Sequence, residues 1–164
     1  MTVVAQAEPK VRVIERRSTR VAYLRHTGAY GDATSRFWTG TVVPWMLGQR
    51  LMGRPRFGIS HDDPSLTVPS KCRYDACIEI EDGYQPPEPA RVATIPGGPY
   101  AAMPFFGTSA QVADAWAWLL SDWLRTSRLQ QDFRPCFEHY PIDTRYDPAT
   151  GAFSCELCVA VALV

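Results

Sequence analysis

The sequence predicts an α+β domain built on antiparallel sheet, and three observations predict it. Arg73 to Glu81 alternates apolar and polar residues throughout, the period of a strand with one buried face. Val112, Trp116, Leu119, Leu120, Trp123 and Leu124 recur at helical spacing behind Thr108 and Gln111, a pair with capping-box spacing. The element order β-α-β-β then occurs twice along the chain, with a proline-rich join between the two runs.

At 164 residues and 46% hydrophobic content the chain can bury one sizeable core. Seventeen basic and seventeen acidic side chains cancel, so no nucleic-acid surface and no anionic membrane is indicated as a partner. Met1 to Pro9 has no basic start and no apolar stretch of a signal peptide, and no apolar run approaches the roughly 20 residues of a membrane span. The chain therefore reads as cytoplasmic.

In order, residues 1–10 form a loose tail and residues 11–164 a single domain. A short strand is expected at Val11–Glu15 and a longer one at Thr19–His26, which ends at the turn Thr27-Gly28. Asp32 to Gly48 carries Trp38, Val42, Trp45 and Met46 at helical spacing. Pro44 and the β-branched Thr39, Thr41, Val42 and Val43 weaken that helix without removing it. Arg54–His61 and Arg73–Glu81 follow as strands, the second with Tyr74, Ala76, Ile78 and Ile80 inward and Asp75, Cys77, Glu79 and Glu81 outward. Residues 83–89 are a linker. Ala90–Pro96 and Tyr100–Phe106 are strands joined by Gly97-Gly98-Pro99. The Val112–Leu124 helix, a strand at Arg134–Pro141, a turn at Asp147–Gly151 and a closing strand at Ser154–Val164 complete the chain.

Residues repeat as well as elements. Gly28 matches Gly107, and Trp38 and Trp45 match Trp116 and Trp123. Arg54-Pro55-Arg56-Phe57 matches Arg134-Pro135-Cys136-Phe137, and Asp75, Cys77, Ile78 and Ile80 match Glu156, Cys158, Val159 and Val161. A collinear offset of about 78–81 residues is the mark of duplicated units. Repeat one spans residues 11–82 and repeat two residues 90–164, with pseudo-twofold symmetry and antiparallel sheets forming a central ligand groove.

On the strand at Arg134–Pro141, alternation puts Cys136, Glu138 and Tyr140 on one face and Phe137 and His139 on the other. The repeat aligns Glu138 with Gly58, which has no side chain. Two readings stand. Glu138 is a structural charge paired with an arginine, or it faces a groove with charge on one side and room on the other, where partial desolvation raises its pKa. Trp45 and Trp123 belong to the core, whereas Trp38, Trp116, Tyr30 and Tyr140 are candidates to reach the groove.

Other chemistry is thin. Cys72, Cys77, Cys136, Cys155 and Cys158 are too few for a disulfide framework, and Cys155 and Cys158, three apart on a strand, point to opposite faces. His26, His61 and His139 have no metal-ligand spacing, and His61-Asp62-Asp63-Pro64 reads as an Asx-fixed turn. Neither a nucleophile elbow nor a glycine-rich phosphate loop is present. No metal and no cofactor is expected.

A family resemblance runs from about Val11 to Val164. Val21-Ala22-Tyr23-Leu24-Arg25-His26-Thr27-Gly28-Ala29-Tyr30, Gly58-Ile59-Ser60-His61-Asp62-Asp63-Pro64, Arg73-Tyr74-Asp75-Ala76-Cys77, Ile95-Pro96-Gly97-Gly98-Pro99-Tyr100-Ala101, Ala115-Trp116 through Trp123-Leu124, and Phe137-Glu138-His139-Tyr140 occur in an order specific to one group. The chain resembles the GyrI-like small-molecule-binding domain, the effector-binding module of some AraC-type and multidrug-sensing regulators. The resemblance implies a duplicated β-α-β-β fold with a central groove, in which Glu138 contacts cationic or electrophilic aromatic ligands. Two departures qualify it. Gly107-Thr108-Ser109 follows Phe105-Phe106 where the family usually has a histidine, so a different ligand is expected. Only about ten residues precede the module, so the chain is not expected to be a complete one-component transcription factor.

The expected function is binding of an amphipathic, cationic or electrophilic aromatic molecule, for sequestration or effector sensing, with Glu138 as the anionic contact. Two alternatives remain. One is a hydrolase of strained cyclopropane-bearing toxic compounds with Glu138 as its catalytic residue. The other is a protein that inhibits a topoisomerase. A regulator or a topoisomerase is accordingly the possible protein partner.

Overall fold

The computed structural model describes residues 10–163. Ten strands form one antiparallel sheet: β1 (Arg12–Arg16), β2 (Thr19–Thr27), β3 (Arg56–Ser60), β4 (Arg73–Glu79), β5 (Arg91–Ile95), β6 (Gly98–Gly107), β7 (Leu129–Gln131), β8 (Phe137–Tyr140), β9 (Tyr146–Asp147) and β10 (Ala152–Leu163). The order is β1-β6-β10-β8-β3-β4-β2-β5, with β7 and β9 paired to β10. The expected 1–10 tail lies almost wholly outside the described residues.

Two helical arms cover one face. The first runs through α1 (Asp32–Phe37), a π-helical segment at Trp38–Val42 and α2 (Val43–Gly48). The second runs through α3 (Ser109–Ala117), a π-helical segment at Trp118–Trp123 and α4 (Leu124–Thr126). The expected helices are thus both present, each widened in the middle. In the first arm the cause is Pro44: it has no N–H to give the carbonyl of Gly40, and its ring would press against that oxygen, so the turn opens. In the second arm the Gln111 side-chain carbonyl accepts from the Thr108 backbone N–H at 2.9 Å, which fixes the helix start.

Val42 and Met46 of the first arm pack on Ala22, Leu24, Ala76 and Ile78, and Leu119 of the second packs on Ala101, Met103, Leu157 and Val159. The opposite face buries Val21, Phe57, Cys77, Tyr100, Phe137 and Cys158 together. Ile95 of β5 and Ile14 of β1, from opposite ends of the strand order, meet in that same cluster. The sheet therefore curls until its two edges share a core.

That curl corrects the reading of β4. Its outward face was expected to be solvated, yet Asp75 and Cys77 are buried. Burial alone would raise the Asp75 pKa, but hydrogen bonds from His61 and Arg25 outweigh it and hold the carboxyl below its usual range. His61 Nε2 lies 2.6 Å from Asp75 Oδ2, and Arg25 forks onto the carboxylate at 2.8 and 3.0 Å. Cys155 and Cys158 do fall on opposite faces, one under α3 and one in the curl. The turn after β3 is Asx-fixed, with Asp63 Oδ1 accepting from the Ser65 backbone N–H at 2.9 Å. A last difference is at Gly98, which is the first residue of β6 and not part of a turn. Among the described residues no helix is long and apolar enough to cross a membrane.

Candidate functional site

The centre of the sheet is the pair β3–β8, and there Gly58 faces Glu138 while Arg56 faces Tyr140. On its other side Glu138 faces Leu157 of β10. Since Leu157 packs under α3, Glu138 and Tyr140 project toward the helices, between the two arms. Phe137 and His139 project the other way, where the His139 ring stacks on Phe57 at 5.0 Å.

Glu138 is 8% exposed. Its carboxylate accepts from the Tyr140 hydroxyl at 2.5 Å and from Trp116 Nε1 at 3.4 Å. No lysine or arginine nitrogen lies within 4.0 Å of it among the described residues, so the expected structural pairing with an arginine is not what holds it. Burial pushes the Glu138 pKa above the usual carboxylate range, and the two donors only partly oppose that. Tyr140 is raised well above an ordinary phenol, chiefly by burial and then by the neighbouring carboxylate.

Trp38, at the start of the π-helical segment in the first arm, reaches the same place from the other side. Its Nε1 donates to the Tyr74 hydroxyl at 2.8 Å, and its ring meets Tyr140 edge-on at 6.0 Å between centroids. Glu138, Tyr140, Trp38 and Trp116 thus meet in one cluster. Tyr30 does not join them. Its hydroxyl donates to the Arg73 carbonyl at 2.7 Å and accepts from the Asp62 backbone N–H at 3.2 Å, and only its ring approaches the cluster, 6.5 Å from Tyr74.

The room expected beside Glu138 is taken. A methyl group built on Gly58 would lie 2.1 Å from the Tyr74 hydroxyl, so that hydroxyl fills the place a side chain would have. Two residues of the cluster were not anticipated. Tyr74 looked like one more apolar position on an alternating strand, and nothing in the sequence marks where its hydroxyl goes. Arg56 was legible by parity: two residues before Gly58, it must share its face. Its guanidinium carbon lies 5.8 Å from the Trp38 ring and 5.6 Å from the Tyr140 ring.

A buried carboxylate ringed by aromatic faces and neutral donors is a chemistry for positive charge. Comparison with known proteins places it in a family: the profile of the GyrI-like small-molecule-binding domain matches residues 9–162. The chain belongs to that family. This GyrI-like domain is 29% identical over 132 residues to YosT of Bacillus subtilis, named as a prophage-derived transcriptional regulator, covering 80% of the chain and 88% of the relative. It is 24% identical over 155 residues to a DNA gyrase inhibitor of Erwinia billingiae, covering 93% and 97%. Among solved structures, the EcmrR C-terminal domain superposes with a TM-score of 0.73 at 11% identity over 96% of this chain and all of that one. SAV2435 bound to tetraphenylphosphonium superposes with a TM-score of 0.56 at 15% identity, over 93% of this chain and 94% of that one. These two likenesses show the fold.

Proposed function

We propose that this GyrI-like domain binds amphipathic aromatic molecules that carry positive charge or an electrophilic carbon, in the groove between its two helical arms. Glu138 is the anionic contact, and Tyr140, Trp38 and Trp116 supply the aromatic faces. Tyr30 supports the cluster through Tyr74. The observation that carries this reading is a carboxylate buried to 8% exposure and answered only by neutral donors. Such a group is held at a free-energy cost that a cationic ligand offsets, with cation–π contacts of about 0.5–2 kcal/mol each added. The lipophilic aromatic cation bound by SAV2435 is of the same chemical class. Two β-α-β-β repeats, at residues 11–82 and 90–164 about a linker at 83–89, account for the groove's position. The strand order reads alike from either edge, and Gly58 and Glu138, aligned by the repeat, face each other at its midpoint.

The test is calorimetric titration with tetraphenylphosphonium. The unmodified domain is expected to bind at micromolar Kd, and Glu138→Gln to weaken binding about tenfold or more. Equal affinity in the two proteins would remove Glu138 from the site.

A second reading shares the carboxylate. With its pKa raised and the Tyr140 hydroxyl bonded to it, Glu138 suits proton transfer to or from a strained electrophile in a site shielded from bulk water. Incubation with a cyclopropane-bearing electrophile separates the two: loss of substrate mass that Glu138→Gln abolishes means hydrolysis, and binding without mass change means capture.

A further inference from the structure

Arg56 is out of keeping with a site for simple cations. It occupies the helical face of β3, opposite Tyr140, and its guanidinium lies within 6 Å of the rings of both Trp38 and Tyr140. Its hydrogen bond to Thr144 Oγ1, at 3.0 Å, is the one side-chain bond of that group among the described residues. It makes no ion pair there within 4.0 Å, with Glu138 or with any other carboxylate. A guanidinium has five N–H donors in a fixed fork, so most of its donor capacity is unused. Its half-buried position also depresses its affinity for a proton through desolvation.

The cluster therefore holds two opposite charges that do not pair with each other, one bonded to the Tyr140 hydroxyl and the other within 6 Å of the Tyr140 ring. A monocation entering beside Glu138 meets repulsion from Arg56. A molecule with a positive or electron-poor end and an anionic or carbonyl acceptor end meets attraction at both. We propose that Arg56 is a specificity-determining residue that selects dipolar aromatic ligands, and that its free donors bind the ligand's acceptor group. This rests on the reading of the groove as a ligand site and adds the charge pattern of the ligand.

The experiment uses a matched pair of dyes, rhodamine B, which carries a free carboxylate, and its ethyl ester, which is a plain cation. Fluorescence polarisation gives Kd for each against the unmodified domain, Arg56→Met and Arg56→Lys, with melting temperatures recorded in parallel. The unmodified domain is expected to prefer rhodamine B about tenfold, the scale of one charge-assisted hydrogen bond. Arg56→Met reverses the preference by weakening rhodamine B and strengthening the ester, and Arg56→Lys retains part of it. Equal affinities in the unmodified domain, or an Arg56→Met variant that shifts both dyes in the same direction, overturn the proposal. Failure of the unmodified domain to bind either dye overturns the groove reading along with it, whereas equal binding of both leaves that reading standing.

Discussion

Glu138 carries an energetic signature independent of any ligand. An unfolded glutamate titrates near pH 4.3, and burial in the folded chain moves the group upward. A raised folded pKa means that the folded chain holds this proton more tightly than the unfolded one. The stabilising contribution is complete below the unfolded pKa and is lost as pH rises through the folded value. Glu138→Gln keeps the shape and an acceptor for Tyr140 while removing the charge. Burial disfavours the ionised carboxylate, so the ligand-free variant is expected to be more stable than the unmodified domain at neutral pH. The difference should shrink as pH falls toward 4, and urea unfolding across pH 4–8 measures it. A variant less stable at neutral pH would mean that Glu138 is a structural anchor. A residue that lowers stability and raises affinity is the pattern of a binding group.

Among the elements, the central pair β3–β8 depends on Gly58 in a way that the repeat expected from the sequence misstates. Alignment of the repeats leaves an empty place opposite Glu138; the structure fills it with the Tyr74 hydroxyl from β4. Gly58→Ala must displace that hydroxyl, and with it the bond from Trp38 Nε1. The expected cost is about 1–3 kcal/mol of stability, as for other overpacked positions. Adding Tyr74→Phe should recover part of it, which a double-mutant cycle by chemical unfolding measures. The elements themselves were largely legible: alternation marks β2, β4 and β10, and helical spacing marks both arms, because these signals come from one chain segment at a time. What the sequence withheld depends on segments meeting. Asp75 alternates like a solvated residue because its partners, Arg25 and His61, come from other segments of the chain. The place of Glu138 on its strand followed from alternation, whereas the absence of an arginine partner did not, since any of several arginines could have folded onto it.

Across the whole molecule, the face of the sheet away from the helices is closed by a tight approach at Gly97. A methyl group built on Gly97 would lie 2.7 Å from both the Arg16 carbonyl and the Ser18 backbone nitrogen, so the β5–β6 join sits directly on the β1–β2 join. The Gly97 N–H donates to Ser18 Oγ at 3.0 Å across the same contact. Here the obstacle is backbone, which cannot turn aside as a side-chain tip can. Gly97→Ala is therefore expected to push the two joins apart, loosen the curl where Ile14 and Ile95 meet, and lower stability by about 1–3 kcal/mol, several degrees of melting temperature for a chain of this size. Glu138 and its aromatic neighbours lie on the opposite face, against the helices, and none of them touches this contact. Tetraphenylphosphonium affinity well below the melting temperature should then stay within about twofold of the unmodified domain, since distant and independent sites add. A large loss of affinity in Gly97→Ala would mean that the curl and the groove are one mechanical unit, with closure of the sheet edges setting the distance between the helical arms.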